Sequence, residues 1–138
     1  MPDQPVEGGC QCGAVRYRIT GTPSGSMICH CQTCRRLAAA PVVAWLSVAA
    51  LHFAYTKGQP RSFRSSPPVL RSFCSNCGRH LSYVHADEPD MVDVSTCSLD
   101  DPAQWPPTHH SWLSHDVGWV TFGDGLPTYA KSRYGGIV

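Results

Sequence analysis

The greatest chemical capacity in this chain lies in its cysteines. Eight occur in 138 residues, and they are grouped: Cys10 with Cys12, Cys29 with Cys31 and Cys34, Cys74 with Cys77, and Cys97 alone. Zinc prefers tetrahedral sulfur and nitrogen donors, and a turn between two closely spaced cysteines brings both thiolates to one ion. Cys74 and Cys77 are followed by Gly78, and Cys10 and Cys12 by Gly13. Joined, the two pairs make a closed four-thiolate cage that ties the beginning of the chain to its middle, a structural zinc site on which folding depends. The competing reading, buried free thiols, requires no paired spacing.

That leaves the run CHCQTC, residues 29 to 34, with Cys29, Cys31 and Cys34. Three protein ligands and an open fourth vertex are the signature of catalytic zinc, where water or substrate completes the tetrahedron. Three thiolates outweigh the charge of the dication. Such an ion is a weaker Lewis acid than one held by imidazoles, and it suits the binding of a substrate thiol as thiolate. The pattern therefore favours chemistry on sulfur over hydrolysis. Two residues compete for the open vertex: Cys97 and His30 could each close the site and make it structural. Cys97 can also be read as a buried thiol or as a redox nucleophile.

The elements that must position these groups are short. The length suits one compact domain, and 12 glycines and 12 prolines spread along the chain favour strands joined by turns. The fold class expected is mainly β with little helix. AVRYRIT (14–20) alternates Val15, Tyr17 and Ile19 with two arginines, so CQCG is a knuckle that feeds a strand. RRLAAAP has room for about one helical turn before Pro41, and VVAWLSV (42–48) reads as a buried strand. LHFAYT, RSFRS and VLRSFC are further strands, and CSNCG is a second knuckle before HLSYVH (80–85). MVDVSTC (91–97) puts Val92, Val94 and Thr96 on one face and Asp93, Ser95 and Cys97 on the other. SLDDPAQW reads as a helical turn capped by Ser98, and the tail from Pro106 to Pro127 is left unassigned.

Net charge is +1 with no block of like charge, which argues against nucleic acid or an anionic membrane as partner and for a small molecule or a protein. The N-terminal MPDQPVEGGC lacks a basic region followed by an apolar run, and no stretch approaches the roughly 18 apolar residues that span a bilayer. A cytoplasmic, reducing location is expected, where clustered cysteines bind metal rather than form disulfides.

The stretches GGCQCGAVRY, CHCQTCRRLAAAPVVAWLSV, RSFCSNCGRHLSY, VSTCSLDDP, HHSW and DGLP, in that order, resemble the glutathione-dependent formaldehyde-activating enzyme family, also called the centromere-protein-V family. The match spans nearly the whole chain. It implies a single zinc-binding domain over residues 1–138, with its core over about 7–130, and short antiparallel sheets of the β-tent type stapled by zinc knuckles. It further implies two zinc ions per chain, a structural one on Cys10, Cys12, Cys74 and Cys77 and a catalytic one on Cys29, Cys31 and Cys34, where the thiol of glutathione would bind. The implied reaction is a carbon–sulfur lyase step that joins glutathione and formaldehyde in S-hydroxymethylglutathione. Where the family commonly has a Ser-Gly pair this chain has Ala38-Ala39, and the position of Cys97 is often not cysteine.

Glutathione carries two carboxylates, and Arg35 and Arg36 beside the last ligand are candidate partners. His110 and Asp93 are candidate bases, and Trp112 and Trp119 candidate wall residues. Two other functional classes remain open: a non-catalytic zinc-stapled module for a protein partner, and a redox enzyme using Cys97.

Overall fold

The computed structural model describes residues 4–135, so the first and last three residues of the expected 1–138 domain lie outside the described residues. Ten strands and one short helix follow in the order β1 (Val6–Gly9), β2 (Arg16–Ile19), β3 (Gly25–Cys29), α1 (Gln32–Ala38), β4 (Val43–Ala49), β5 (Phe53–Lys57), β6 (Arg61–Ser66), β7 (Val69–Phe73), β8 (His80–His85), β9 (Met91–Ser95) and β10 (His109–Ser111). The chain is mainly β, as expected. Strands β1, β2 and β5 form a three-stranded sheet, and a seven-stranded sheet runs β10-β3-β4-β9-β8-β7-β6. All pairings are antiparallel except that of β10 with β3.

Side chains alternate across a strand, so the faces of the large sheet follow sequence parity, except in β8, where a register shift opposite Ser72 and Phe73 lets Leu81 and Tyr83 join different layers. On one face Leu46, Val48, Leu81, Val92 and Val94 pack against Val6, Tyr17 and Ile19 of the small sheet and Val15 just before β2 to form the main core. Inside it the Tyr17 hydroxyl donates to Ser98 Oγ at 2.6 Å, and Ser98 Oγ in turn donates to the Ser95 carbonyl at 2.7 Å. The opposite parity builds a second layer from Cys29, Cys34 and Trp45, flanked by Met27, Tyr83 and Trp112. Register aligns a transverse row on that second face: Gly25 pairs with Ser47, Ser47 with Asp93, Asp93 with Tyr83, and Tyr83 with Arg71.

Three strands depart from the sequence reading. VEGG and GSMIC lack the alternation of a strand, yet they form β1 and β3 through pairing with β2 and β4. In the unassigned tail, HHS becomes β10 by docking on β3. Ser98 is not a cap: it is buried under Tyr17, and Asp101 caps the following 3₁₀ turn by accepting from the Ala103 N–H at 3.3 Å.

Candidate metal centre and active-site cavity

The two knuckles meet. Gly13 (φ +82°) and Gly78 (φ +80°) each follow the second cysteine of a pair and take the left-handed conformation that closes the turn, one open to glycine with no Cβ penalty. Backbone N–H groups point inward: Val15 N–H donates to Cys10 Sγ at 3.2 Å, and Asn76 and Cys77 N–H donate to Cys74 Sγ, both at 3.4 Å. Such donors stabilise thiolate over thiol. The Cys77 thiol is pushed down to about 6, first by the Arg79 N–H and then by that of Cys12. The four sulfurs lie within 4.8 Å of one another, with Cys10 to Cys12 at 3.6 Å and Cys12 to Cys74 at 3.7 Å. A tetrahedron with Zn–S bonds of 2.3 Å has edges of about 3.8 Å, so the quartet fits a zinc ion.

Cys29 ends β3, Cys31 precedes α1, and Cys34 is the buried residue of that helix. Cys29 Sγ and Cys34 Sγ are 3.8 Å apart, again a tetrahedral edge, although the trio converges less tightly than the quartet. Hydrogen bonds from Cys29, then Cys34, push the Cys31 thiol strongly down, while Cys29 is pushed up by Cys31, then Cys34, and by burial. The three residues open on a cavity of about 550 Å³ whose walls include Trp45, Arg71, Tyr83, Asp93, His109 and Trp112. Trp112 sits at φ +62°, a costly conformation for a bulky residue, of the kind that clusters at functional sites.

Arg71 supplies the charge. It is buried, its Nε donates to Ser65 Oγ at 3.0 Å, and its guanidinium lies over the Tyr83 ring at 5.0 Å. Among the described residues no carboxylate pairs with it; both terminal nitrogens face Cys34 Sγ, at 3.6 and 3.7 Å. Burial, then Asp93, pushes Tyr83 up to about 12. Burial also raises Asp93, partly offset by the Ser47 hydroxyl, which donates to it at 2.6 Å.

The other candidates are placed elsewhere. Arg35 donates to the carbonyls of His30 and His115, Arg36 is exposed, and neither lines the cavity. His110 is buried behind the cavity wall. Its Nε2 lies 2.8 Å from Asp124 Oδ2 and its Nδ1 2.9 Å from His30 Nε2. A carboxylate only accepts, so a neutral His110 donates through Nε2 and accepts from His30 through Nδ1. His30 is thereby committed to His110 through Nε2 and lies outside the cavity lining. Cys97 is exposed and lines a separate hollow with Leu37, Val43 and Arg79. Trp119 is exposed.

Sequence reasoning missed Arg71 and His109 as wall residues. The signal for Arg71 was present, since it shares strand parity with Val69, a buried position. His109 carried no such signal, because β10 exists only through its docking on β3.

The family model described as glutathione-dependent formaldehyde-activating enzyme matches residues 5–115. A Halomonas elongata protein named "Putative glutathione-dependent formaldehyde-activating enzyme" is 28% identical over 126 residues, covering 83% of this chain and 79% of that one. An uncharacterized lyase of Schizosaccharomyces pombe is 27% identical over 96 residues, 68% of each chain. The fold resembles the crystal structure of a Rhodobacter sphaeroides protein with a TM-score of 0.59 at 19% identity, over 71% of this chain and 93% of that one. With the match covering most of the length and both knuckles in place, the chain belongs to the glutathione-dependent formaldehyde-activating enzyme family.

Proposed function

We propose that this protein is a zinc-dependent carbon–sulfur lyase that joins a thiol such as glutathione to an aldehyde such as formaldehyde. The observation that carries the reading is the opening of Cys29, Cys31 and Cys34, with the buried Arg71 beside them, onto one cavity. In this reading Cys29, Cys31 and Cys34 hold a second zinc, while Cys10, Cys12, Cys74 and Cys77 hold the first as a staple. When bound by three thiolates, zinc offers a vertex that favours a substrate thiol in its thiolate form.

The chain's own residues do the rest. Arg71 sets a fixed positive charge against the excess negative charge that sulfur ligands and a substrate sulfur bring together. Glutathione also carries an ammonium group, and the cavity offers cations in Arg71 and Arg133 and acids in Glu88 and Asp93. We therefore assign carboxylate recognition to Arg133, with Arg71 committed to the sulfurs, rather than to Arg35 and Arg36. In the reaction a sulfur–carbon bond forms, the carbonyl π bond opens, and the proton lost from sulfur ends on oxygen.

No helix among the described residues is long and apolar enough to cross a membrane. All eight cysteines are free, as a reducing compartment such as the cytoplasm would keep them. Cys97, the residue of the redox alternative, is exposed in a hollow of its own, apart from this cavity.

The test has two steps. Metal analysis should find two zinc ions per chain, and calorimetric titration with glutathione should show binding in the wild type that Cys31→Ala abolishes. Exchange NMR should then show faster interconversion of glutathione and formaldehyde with their adduct when the protein is added. Two metals without thiol binding would leave a zinc-stapled module instead.

A further inference from the structure

The proton that must travel from sulfur to oxygen needs a carrier, and one buried group in the cavity wall has the right valence. His109 is 4% exposed and lines the cavity, and among the described residues its Nε2 has no hydrogen-bond partner. Its Nδ1 lies 3.0 Å from Thr108 Oγ1, and Thr108 Oγ1 lies 3.1 Å from the Ser26 carbonyl, positioned to donate to it.

These contacts select one tautomer. If the Thr108 hydroxyl gives its proton to the Ser26 carbonyl, its lone pair accepts Nδ1–H, and both hydrogen bonds are made. In the opposite tautomer the hydroxyl proton is spent on Nδ1, the bond to Ser26 is lost, and Nε2–H becomes a buried donor without an acceptor. Buried orphan donors are rarer and costlier than a lost acceptor contact. The network therefore assigns the proton to Nδ1 and leaves the Nε2 lone pair bare. Burial, then the nearby Arg133 charge, lowers the pKa of His109 and keeps the ring neutral.

Register sets the reach. His109 pairs with Met27 and Ser111 with Cys29, so His109 stands one residue pair along the same sheet face from the cysteine. Two residues of strand rise and one strand spacing separate the Cα atoms of His109 and Cys29 by about 8 Å. That separation sets the ring beside the space a substrate on the cysteines would fill; it also lies within the combined reach of a cysteine and a histidine for one ion, so the zinc content of His109→Gln separates a base from a ligand.

We infer that His109 is the catalytic base of this site, its bare Nε2 taking the proton from the incoming thiol and returning it to the oxygen of the aldehyde as the sulfur–carbon bond forms. The assignment rests on the lyase reading above. The imidazole starts and ends neutral: one S–H bond breaks, one O–H bond forms, and no further reactant is required.

Two-bond ¹H–¹⁵N correlation on the zinc-loaded, ¹⁵N-labelled protein reads the tautomer directly, with the His109 signal identified by its loss in His109→Gln. A protonated Nδ1 with a bare Nε2 is expected; protonated Nε2 overturns the assignment whatever the activity. His109→Gln should keep its zinc and its glutathione affinity and lose about 100-fold of the adduct-forming acceleration, with added imidazole restoring part of it. A variant that keeps the wild-type rate overturns the base while the lyase reading stands, and a wild type without acceleration overturns both. Should His109→Gln not fold, Thr108→Val addresses the same point: it removes the Nδ1 acceptor, and an unchanged tautomer and rate there would overturn the assignment.

Discussion

The guanidinium of Arg71 faces the sulfur of Cys34 with both terminal nitrogens, at 3.6 and 3.7 Å, from a buried position on β7. A buried cation without a carboxylate partner is costly unless another anion compensates it. In the proposed zinc-loaded site the compensating groups would be the cysteine sulfurs held as thiolates. Replacing Arg71 with Met should therefore weaken metal binding at the three-cysteine site, and Arg71→Lys, which keeps the charge but not the fork, should fall between. A hydrogen bond to a charged group contributes about 1.5–3 kcal/mol, which corresponds to roughly a 10- to 100-fold loss in affinity. Competition with a chromophoric chelator would measure it, with metal binding at the four-cysteine site expected to stay unchanged as internal control.

The two cysteine sets should respond differently to loss of one member. Cys74 is 1% exposed, belongs to the main core cluster and joins segments more than sixty residues apart. Structural zinc is worth about 10–16 kcal/mol in apparent terms, as much as the whole stability of a small domain. Cys74→Ser should leave the chain unfolded, and a strong chelator should unfold the wild type. Cys31 is only partly buried, at the mouth of α1, and Cys31→Ser should fold with one metal fewer. Native mass spectrometry and far-ultraviolet circular dichroism distinguish the two outcomes.

The knuckles were legible because their constraint is local: CQCG and CSNCG each need a tight turn, and glycine marks the residue that closes it. The core face was legible for the same reason, since Val15, Tyr17 and Ile19 announce their burial by alternation. Arg71 and His109 were harder because their role is set by what lies across the sheet. Arg71 shares the parity of the buried Val69, but its charge argues for the surface until Tyr83 and Cys34 are placed beside it, and HHSW has no periodicity from which to predict that β10 runs parallel to β3. His110 is the instructive case. Sequence places a histidine near the site but cannot say that its ring turns away toward Asp124 while its neighbour His109 lines the cavity.

Gly8 offers a test of the contact between the small sheet and the turn after β9. A Cβ built there would stand 2.4 Å from Tyr17 Oη and 2.5 Å from the Ser98 carbonyl oxygen. The Ser98 oxygen is backbone, and Tyr17 is held by its bond to Ser98 Oγ, so neither yields cheaply. Gly8→Ala should cost about 1–3 kcal/mol as an overpacked core position, read as a lower denaturant midpoint with unchanged m-value. Gly13→Ala meets nothing within 4 Å, and its cost, from the left-handed backbone alone, should be smaller.

Asp124 ties the segment that follows the 3₁₀ turn at Leu113–His115 to the buried His110 and His30 pair, with Phe122 packed on both rings at 4.8 and 5.5 Å. The Leu126 N–H, and after it His110, hold the Asp124 carboxyl below its ordinary value. A carboxylate with a depressed folded pKa adds stability that is present above the unfolded pKa, near 3.9, and is lost as pH falls through the folded value. Amide exchange at Leu126 should therefore be slow and flat above about pH 4, once the intrinsic rate is divided out, and should lose protection as the solution is acidified below it. In Asp124→Asn the acid-dependent step should vanish, leaving lower protection at all pH values, because the amide accepts from His110 more weakly than the carboxylate. An acid step that survives in Asp124→Asn would assign the titration to another group and remove the carboxylate from the anchoring of this segment.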